Sequence, residues 1–518
     1  MIELAWDAEA AAQPPGVAVV RDLLARLHEA DLAYCHWKSN EHLGAALDGM
    51  TDLDILVERG RDRDLQRILA ESGFRRFVAS PLRAYPGIED YLALDLPTGR
   101  LVHLHLHFQL TLGERHLKSY RLPWEVRLLA TRRFDRIHHV YIADAALELL
   151  LLLVRAALKH RLRDPLLKIV RRRRAPVLSD FARELSWLRQ QVDDLAVREV
   201  ARSLLGAASD QPMQRLLAAP LETAPLAAFA AAIRPGFNHH RTYGRREALL
   251  RAWMRELQCG VEAVNRRYLH RATPLRRVSP RGGTVIVLLG SDGAGKSTLA
   301  QTLAGWLGVK LDVVPIYFGS GDGPSAFYRW PMRLAYRLLA PAFGRAPTPR
   351  PAGEDGRGVA SRESWRHRLR AAARVPWAIA LACEKRGKLR RLIRARNRGM
   401  VVVCDRYPQS EFPGFNDGPL LARWREHPSP FRRAVAAWEA RSYAQEACEA
   451  PDVVIKLIAT PTVAQVRRPE MSLAELNRRV AAVRHLHFPP RVRVVELDAD
   501  GTMDDVALKA KAIVWDYL

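Results

Sequence analysis

The stretch TVIVLLGSDGAGKSTLAQTLAGWL, residues 284–307, constrains this chain more than any other. An apolar, β-branched run leads directly into a loop with glycines at 290, 293 and 295, after which Leu299, Leu303 and Leu307 recur at helical spacing. A short apolar run of this kind reads as a strand buried on both faces, which implies a parallel sheet covered by helices. The loop meets the pattern G-x-x-x-x-G-K-[ST] at Gly290, Gly295, Lys296 and Ser297. Its glycines let the backbone curl so that N–H groups and the helix N-terminus face phosphate oxygens. Gly290, Ser291, Asp292, Gly293, Ala294, Gly295, Lys296, Ser297 and Thr298 are therefore the candidate nucleotide-binding residues. Lys296 would neutralise the β- and γ-phosphates and the Ser297 hydroxyl would ligate magnesium, so ATP and Mg2+ are the implied cofactors.

The rest of residues 280–518 alternates strand and helix patterns, with LDVVPIYF, MVVVCD, DVVIKLIA and RVRVVELDA as further strands. The expected fold is a doubly wound parallel sheet with helices on both faces. Residues 340–362, rich in Pro and Gly, are expected to form a loop. Asp405 ends the MVVVCD strand at its carboxyl edge, where such sheets place ligands. A carboxylate there can support magnesium, and the adjacent Arg406 can clamp the phosphate of an acceptor.

These features resemble the thymidylate kinase family of P-loop nucleoside monophosphate kinases. The resemblance rests on GSDGAGKST, on Asp405-Arg406-Tyr407 with Ser410 behind it, on PDVVIKL, on QVRRPEMSLAELNRRV and on VVELDADGTMDDV. It implies magnesium-dependent transfer of the ATP γ-phosphoryl group to a nucleoside monophosphate, dTMP-like, or to a related phosphorylated small molecule. It also implies roles for single residues: Asp292 near the acceptor's sugar hydroxyl, Arg406 on the acceptor phosphate, and Arg467 and Arg468 in a closing lid. The chain departs from the family after its second strand, where YFGSGDGP replaces an arginine-glutamate-proline turn. After Asp405-Arg406-Tyr407, EFPGFNDGP replaces an alanine-tyrosine-glutamine run.

Residues 1–135 mix helix and strand signals and are expected to form an α+β domain. HWKSNEHLGAALDGMTDLDILV, residues 36–57, resembles the nucleotidyltransferase superfamily, with Ser39 and Asn40 in a small-residue turn and an Asp-x-Asp pair on a strand. Period-two geometry puts Asp52 and Asp54 on one side, where they could share magnesium bound to a triphosphate. In LVHLHLHF, His105 stands where that resemblance places a third acidic residue. His103, His105 and His107 alternate on one strand face. With no second ligand cluster visible in the sequence, they are expected to be histidines of a half-exposed strand rather than metal ligands.

Residues 136–275 read as almost entirely helical, without evident chemistry, and are expected to be an interdomain bundle or substrate cap. Five scattered cysteines without a C-x-x-C pair argue against a disulfide framework or zinc site. The richest apolar run, Leu149–Val154, is too short to span a membrane, and the acidic N-terminus lacks a signal pattern, so a cytoplasmic location is expected. A formal charge of +25 admits nucleic acid as a partner through Arg171–Arg174 and Lys385–Arg398, although drift on solvated faces is the favoured reading. Two rival functions follow: a nucleotidyltransferase acting through the front domain with the P-loop domain regulatory, or a nucleic-acid-binding ATPase. The favoured partner is a small phosphorylated acceptor, and the oligomeric state is not legible.

Overall fold

The computed structural model describes residues 14–81, 83–113, 117–159, 176–218, 222–265, 271–319, 365–412, 418–448 and 450–518. The Pro- and Gly-rich stretch 340–362, the Arg171–Arg174 cluster and most of GSGDGP and PGFND lie outside them. The chain divides into two compact units, Met1–Pro280 and Arg281–Leu518, both mixtures of helix and strand.

The first unit is built on β1 (Tyr34–His36), β2 (Leu53–Val57), β3 (Arg75–Ala79), β4 (Ile88–Asp95), β5 (Arg100–His107), β6 (Leu110–Leu112), β7 (Tyr120–Leu122), β8 (Arg133–Asp135), β9 (Val140–Ile142) and β10 (Arg277–Val278). Eight of these form one mixed sheet in the order β10-β3-β4-β5-β2-β1-β9-β8, and β6 pairs with β7 separately. Alternation along the central strands sorts the side chains. Leu53, Ile55, Leu104 and Leu106 join Val20, Leu24 and Ile68 of helices Ala18–Glu29 and Asp62–Glu71 in one apolar cluster. Cys35, Trp37 and Leu56 join a second cluster that continues through helix Ala145–Lys159 to Phe237.

That helix is buried around most of its circumference, and Leu149–Val154 are all at most 1 % exposed. It is a core helix of the first unit. The boundary expected near 135 falls between β8 and β9, which pair antiparallel, so the sheet draws strands from both sides of it. The helical run is also closed by β10, which returns to pair with β3. Among the described residues, no helix is long and apolar enough to cross a membrane.

The second unit holds five strands, β11 (Val285–Gly290), β12 (Val313–Tyr317), β13 (Val401–Asp405), β14 (Val453–Ile458) and β15 (Arg493–Asp498), in the order β12-β13-β11-β14-β15. All four pairings are parallel. The chain leaves β11 for the edge, returns through β13, and crosses to β14 and β15 on the other side. The strand order therefore reverses beside β11, and the crevice beyond the carboxyl ends of β11 and β13 is the switch point where such sheets bind ligands. Helix Lys296–Gly308 packs on β11, β12 and β13, through buried Leu299, Leu303 and Leu307. The basic stretch Lys385–Arg398 begins within the long helix Trp365–Arg396, which buries Leu389, Leu392 and Ala395 between its cations.

Candidate functional site

The loop after β11 takes its shape from two glycines. Gly293 and Gly295 adopt φ of +85° and +83°, a left-handed region that costs a residue with a Cβ. A Cβ on Gly293 would lie 2.8 Å from the Ala464 carbonyl oxygen, so backbone packing also requires glycine there. The following helix opens at Lys296 with Gly295 as its N-cap, so its unsatisfied N–H groups are presented to the loop. Lys296 is buried, and its ammonium donates to the Ser291 carbonyl at 2.6 Å.

Asp405 reaches this loop because β13 lies beside β11, with Asp405 in register with Leu288. The Ser297 hydroxyl donates to Asp405 Oδ2 at 2.5 Å. Asp405 Oδ1 is buried and has no hydrogen-bond partner among the described residues. A hydroxyl beside a carboxylate with one unsatisfied oxygen suits a hard cation, and these two residues would hold magnesium.

Arg406 follows with φ of +69°, uncommon for a residue with a side chain and of a kind that costs about 1–3 kcal/mol. Its backbone N–H donates to the Leu288 carbonyl at 3.0 Å, and its guanidinium reaches Asp292 Oδ1 at 3.0 Å. The backbone strain thus accompanies a turn that sends the arginine back over the phosphate loop. Arg479 contacts the other oxygen of the same carboxylate. Burial raises the Asp292 pKa, but Lys296, Arg406 and Arg479 outweigh it and hold the carboxyl below its usual range.

Of the two expected lid arginines, the structure brings one to the loop. The Arg467 guanidinium donates to the carbonyls of Gly293 at 3.3 Å and Ala499 at 3.1 Å, whereas Arg468 is exposed and pairs with Glu470 at 3.3 Å. Arg467 also lines a cavity of about 220 Å³ with Gly295, Leu299, Leu457, Met503 and Val506. A second cavity, of about 550 Å³, is lined by Ser410, Arg425, Arg433, Ala437, Ala440 and Arg441. Arg479 lies in the stretch QVRRPEMSLAELNRRV, but sequence reasoning gave it no role, and it missed the three arginines of this second cavity, which carry no motif and are revealed only by the cavity they line.

In the first unit, Asp54 on β2 stands beside His105 on β5, and Asp90 on β4 stands on the other side of His105. The expectation of a half-exposed histidine strand is corrected here. His103 and His107 are 0 % and 1 % exposed, because the sheet continues on both sides of β5, whereas His105 between them stays partly exposed. Their acidic partners are Asp52 and Asp54, already expected as a pair from the sequence, and Asp90 on β4, which the sequence did not single out. Asp54 Oδ1 lies 2.8 Å from the Lys38 ammonium, 3.3 Å from His105 Nδ1 and 3.1 Å from His107 Nε2. Burial would raise its pKa, yet Lys38 and the two histidines hold it well below the carboxylate range. Burial lowers His107 to about 3, so that ring is neutral.

The turn expected to matter, Ser39-Asn40, is held by the helices of the same unit. Ser39 adopts φ of +59° and its N–H donates to Glu184 at 3.1 Å. Asn40 donates to Glu148 from its backbone at 3.0 Å and from its side chain at 2.7 Å. Burial raises Glu148 to about 7, against the lowering effect of those two bonds.

No family model matches the chain. It is 29 % identical over 229 residues to the uncharacterised ATP-binding protein YghS of Escherichia coli (strain K12), an alignment covering 43 % of this chain and 88 % of that protein. It is 25 % identical over 237 residues to the uncharacterised ATP-binding protein YghR of the same strain, covering 44 % of this chain and 86 % of that protein. Among solved structures, thymidylate kinase from Ehrlichia chaffeensis is similar at 15 % identity and a TM-score of 0.24, over 45 % of this chain and 98 % of that one.

Proposed function

We propose that residues 281–518 bind ATP and transfer its γ-phosphoryl group to a small phosphorylated acceptor, a nucleoside monophosphate or a related metabolite. The observation that carries the reading is the meeting of Ser297 and Asp405 at the sheet's switch point, with Asp405 Oδ1 unsatisfied and Lys296 on the same loop. The two E. coli relatives described as ATP-binding proteins support the nucleotide half of it.

The loop N–H groups and Lys296 hold the β- and γ-phosphates. Ser297 and Asp405 would hold magnesium, which would supply charge neutralisation at the phosphates. The small apolar cavity beside Arg467, about 220 Å³, suits the base of the nucleotide. The acceptor's phosphate oxygen forms the new P–O bond while the bond to the bridging oxygen of the β-phosphate breaks, and ADP leaves with that electron pair. Arg406, Arg479 and Arg467 surround the loop with positive charge that compensates the charge spread over the transferred group. The cavity lined by Arg425, Arg433 and Arg441 is the acceptor site, and its three guanidiniums select anionic molecules.

The test is ATP consumption by the full chain against nucleoside monophosphates and sugar phosphates, with Lys296→Ala as control. Turnover with one acceptor class that disappears in the variant supports the reading. Turnover that persists in Lys296→Ala, or no turnover with any phosphorylated acceptor, removes it. A second reading, nucleotidyl transfer through Asp52 and Asp54, is favoured by their placement together beside His105. It requires Asp52→Ala to abolish product formation while Lys296→Ala leaves it intact.

A further inference from the structure

The geometry points to a transition-metal site in the first unit, in which Asp52, His103 and His105 bind one divalent ion of the zinc, cobalt or manganese class. The inference is independent of the kinase reading of residues 281–518.

Strand register builds the cluster. β2 runs parallel to β5 and β4 runs antiparallel on its other side, so Asp54, His105 and Asp90 form one row across three strands. A period of two adds His103 and His107 to the same face. Ligand atoms of Asp52, His103 and His105 all lie within 4.8 Å of one another. Zinc bonds of about 2.0–2.1 Å place tetrahedral ligand atoms about 3.3–3.4 Å apart, so small side-chain rotations would complete the shell.

Proton counting at His103 separates a metal site from an ordinary polar cluster. Its ring is fully buried, with Nδ1 2.7 Å from Asp52 Oδ1 and Nε2 2.8 Å from Asp90 Oδ1. A neutral imidazole carries one N–H and can donate to one of these carboxylates only. The other contact sets a nitrogen lone pair against a carboxylate oxygen, and it is relieved only by a cation between them, either a second proton or a metal ion. Asp90 lies deeper, at 7 % exposure, and also contacts Arg277 at 2.8 Å. It is suited to accept the Nε2 proton and fix the ring, as carboxylates behind metal-bound histidines do. Nδ1 is then left toward Asp52, whose side chain is 37 % exposed, so the ligand atoms are reachable from solvent.

Asp54 carries the Lys38 ammonium at 2.8 Å, so a cation already stands on it. Two imidazoles and one carboxylate favour borderline transition metals over magnesium, which prefers oxygen ligands and keeps its water.

The full chain would be stripped with a chelator, dialysed against zinc or magnesium, and assayed for bound metal and for zinc affinity by chelator competition. We expect one zinc per chain, retained in millimolar magnesium. His103→Gln and Asp52→Asn should weaken zinc binding by at least about 100-fold, and Asp90→Asn by about 10–100-fold. Lys296→Ala should leave zinc binding unchanged, which separates this site from the ATP site. Circular dichroism checks that the variants fold. If they do not, visible absorption of the cobalt-loaded wild-type chain and the imidazole nitrogen resonances of His103 and His105 report ligation directly. Zinc well below one per chain, displacement by magnesium, binding unmoved by His103→Gln and Asp52→Asn, or unshifted imidazole resonances on loading would each overturn the proposal and leave the second proton as the cation at His103.

Discussion

Ser297 and Asp405, 108 residues apart in the chain, share a hydrogen bond of 2.5 Å. On the proposed reading they would hold one ion together, and the losses of residues that act as a unit do not add. Ser297→Ala and Asp405→Asn are each expected to lower ATP turnover about 100-fold, and the double variant little further. Steady-state kinetics of the three variants check this. A double variant slower by the product of the two factors would show independent roles.

Arg467 and Arg468 are adjacent yet differently employed. Arg467→Ala should raise the Kd for ATP about tenfold, the loss of one charge-assisted contact at the loop. Arg468→Ala should stay within about twofold, since an exposed ion pair such as Arg468–Glu470 contributes about 0–1 kcal/mol. Nucleotide titrations of both variants give the comparison.

Arg479 shares Asp292 with Arg406. Arg479→Ala is expected to reduce kcat/KM by about 10–100-fold, with the larger part in kcat if the arginine acts on the transferring group. An effect confined to thermal stability would reduce Arg479 to a loop tether.

Gly293→Ala should damage the loop more than the sheet. The positive φ costs about 1–2 kcal/mol, and the added Cβ meets the Ala464 carbonyl at 2.8 Å. ATP affinity should fall by at least about tenfold while the cooperative unfolding of the protein is retained. Calorimetry with and without nucleotide measures both.

Glu148 gives the first unit a pH dependence. Its pKa rises from 4.5 unfolded to about 7 folded, so the folded state binds the extra proton between those values. Stability therefore falls as pH rises through this window and levels off above it. Glu148→Gln should flatten the denaturation midpoint between about pH 5 and pH 8, as urea titrations at several pH values would reveal.

The P-loop unit is legible in the sequence because its strands are short apolar runs and its loop is fixed by glycines whose backbone angles few other residues adopt. All five of its expected strands are present in the structure. The placement of Asp405 beside the loop follows from strand order, which the apolar pattern implies without specifying. The first unit is less legible. β3 mixes exposed and buried residues without clean alternation, β4 is buried over six successive residues that include Asp90 and Asp95, and β8 to β10 are two or three residues long, too short to show a period. Its histidine cluster shows the same limit. His103, His105 and His107 are visible as a pattern, but Asp90, the partner of two of them, is singled out only once β4 is seen to pair with β5.

β10 spans only Arg277 and Val278, yet it covers the outer edge of β3, and its arginine reaches Asp90 and His105. A polypeptide cut at 275, where the helical pattern ends, would therefore expose unpaired backbone groups along β3, the kind of edge that recruits other strands. It would also remove a cation from the buried acidic row. The sheet of the first unit is thus completed by the last few residues before the second begins, and a cut ahead of Arg277 is expected to uncover that edge rather than to separate the halves cleanly.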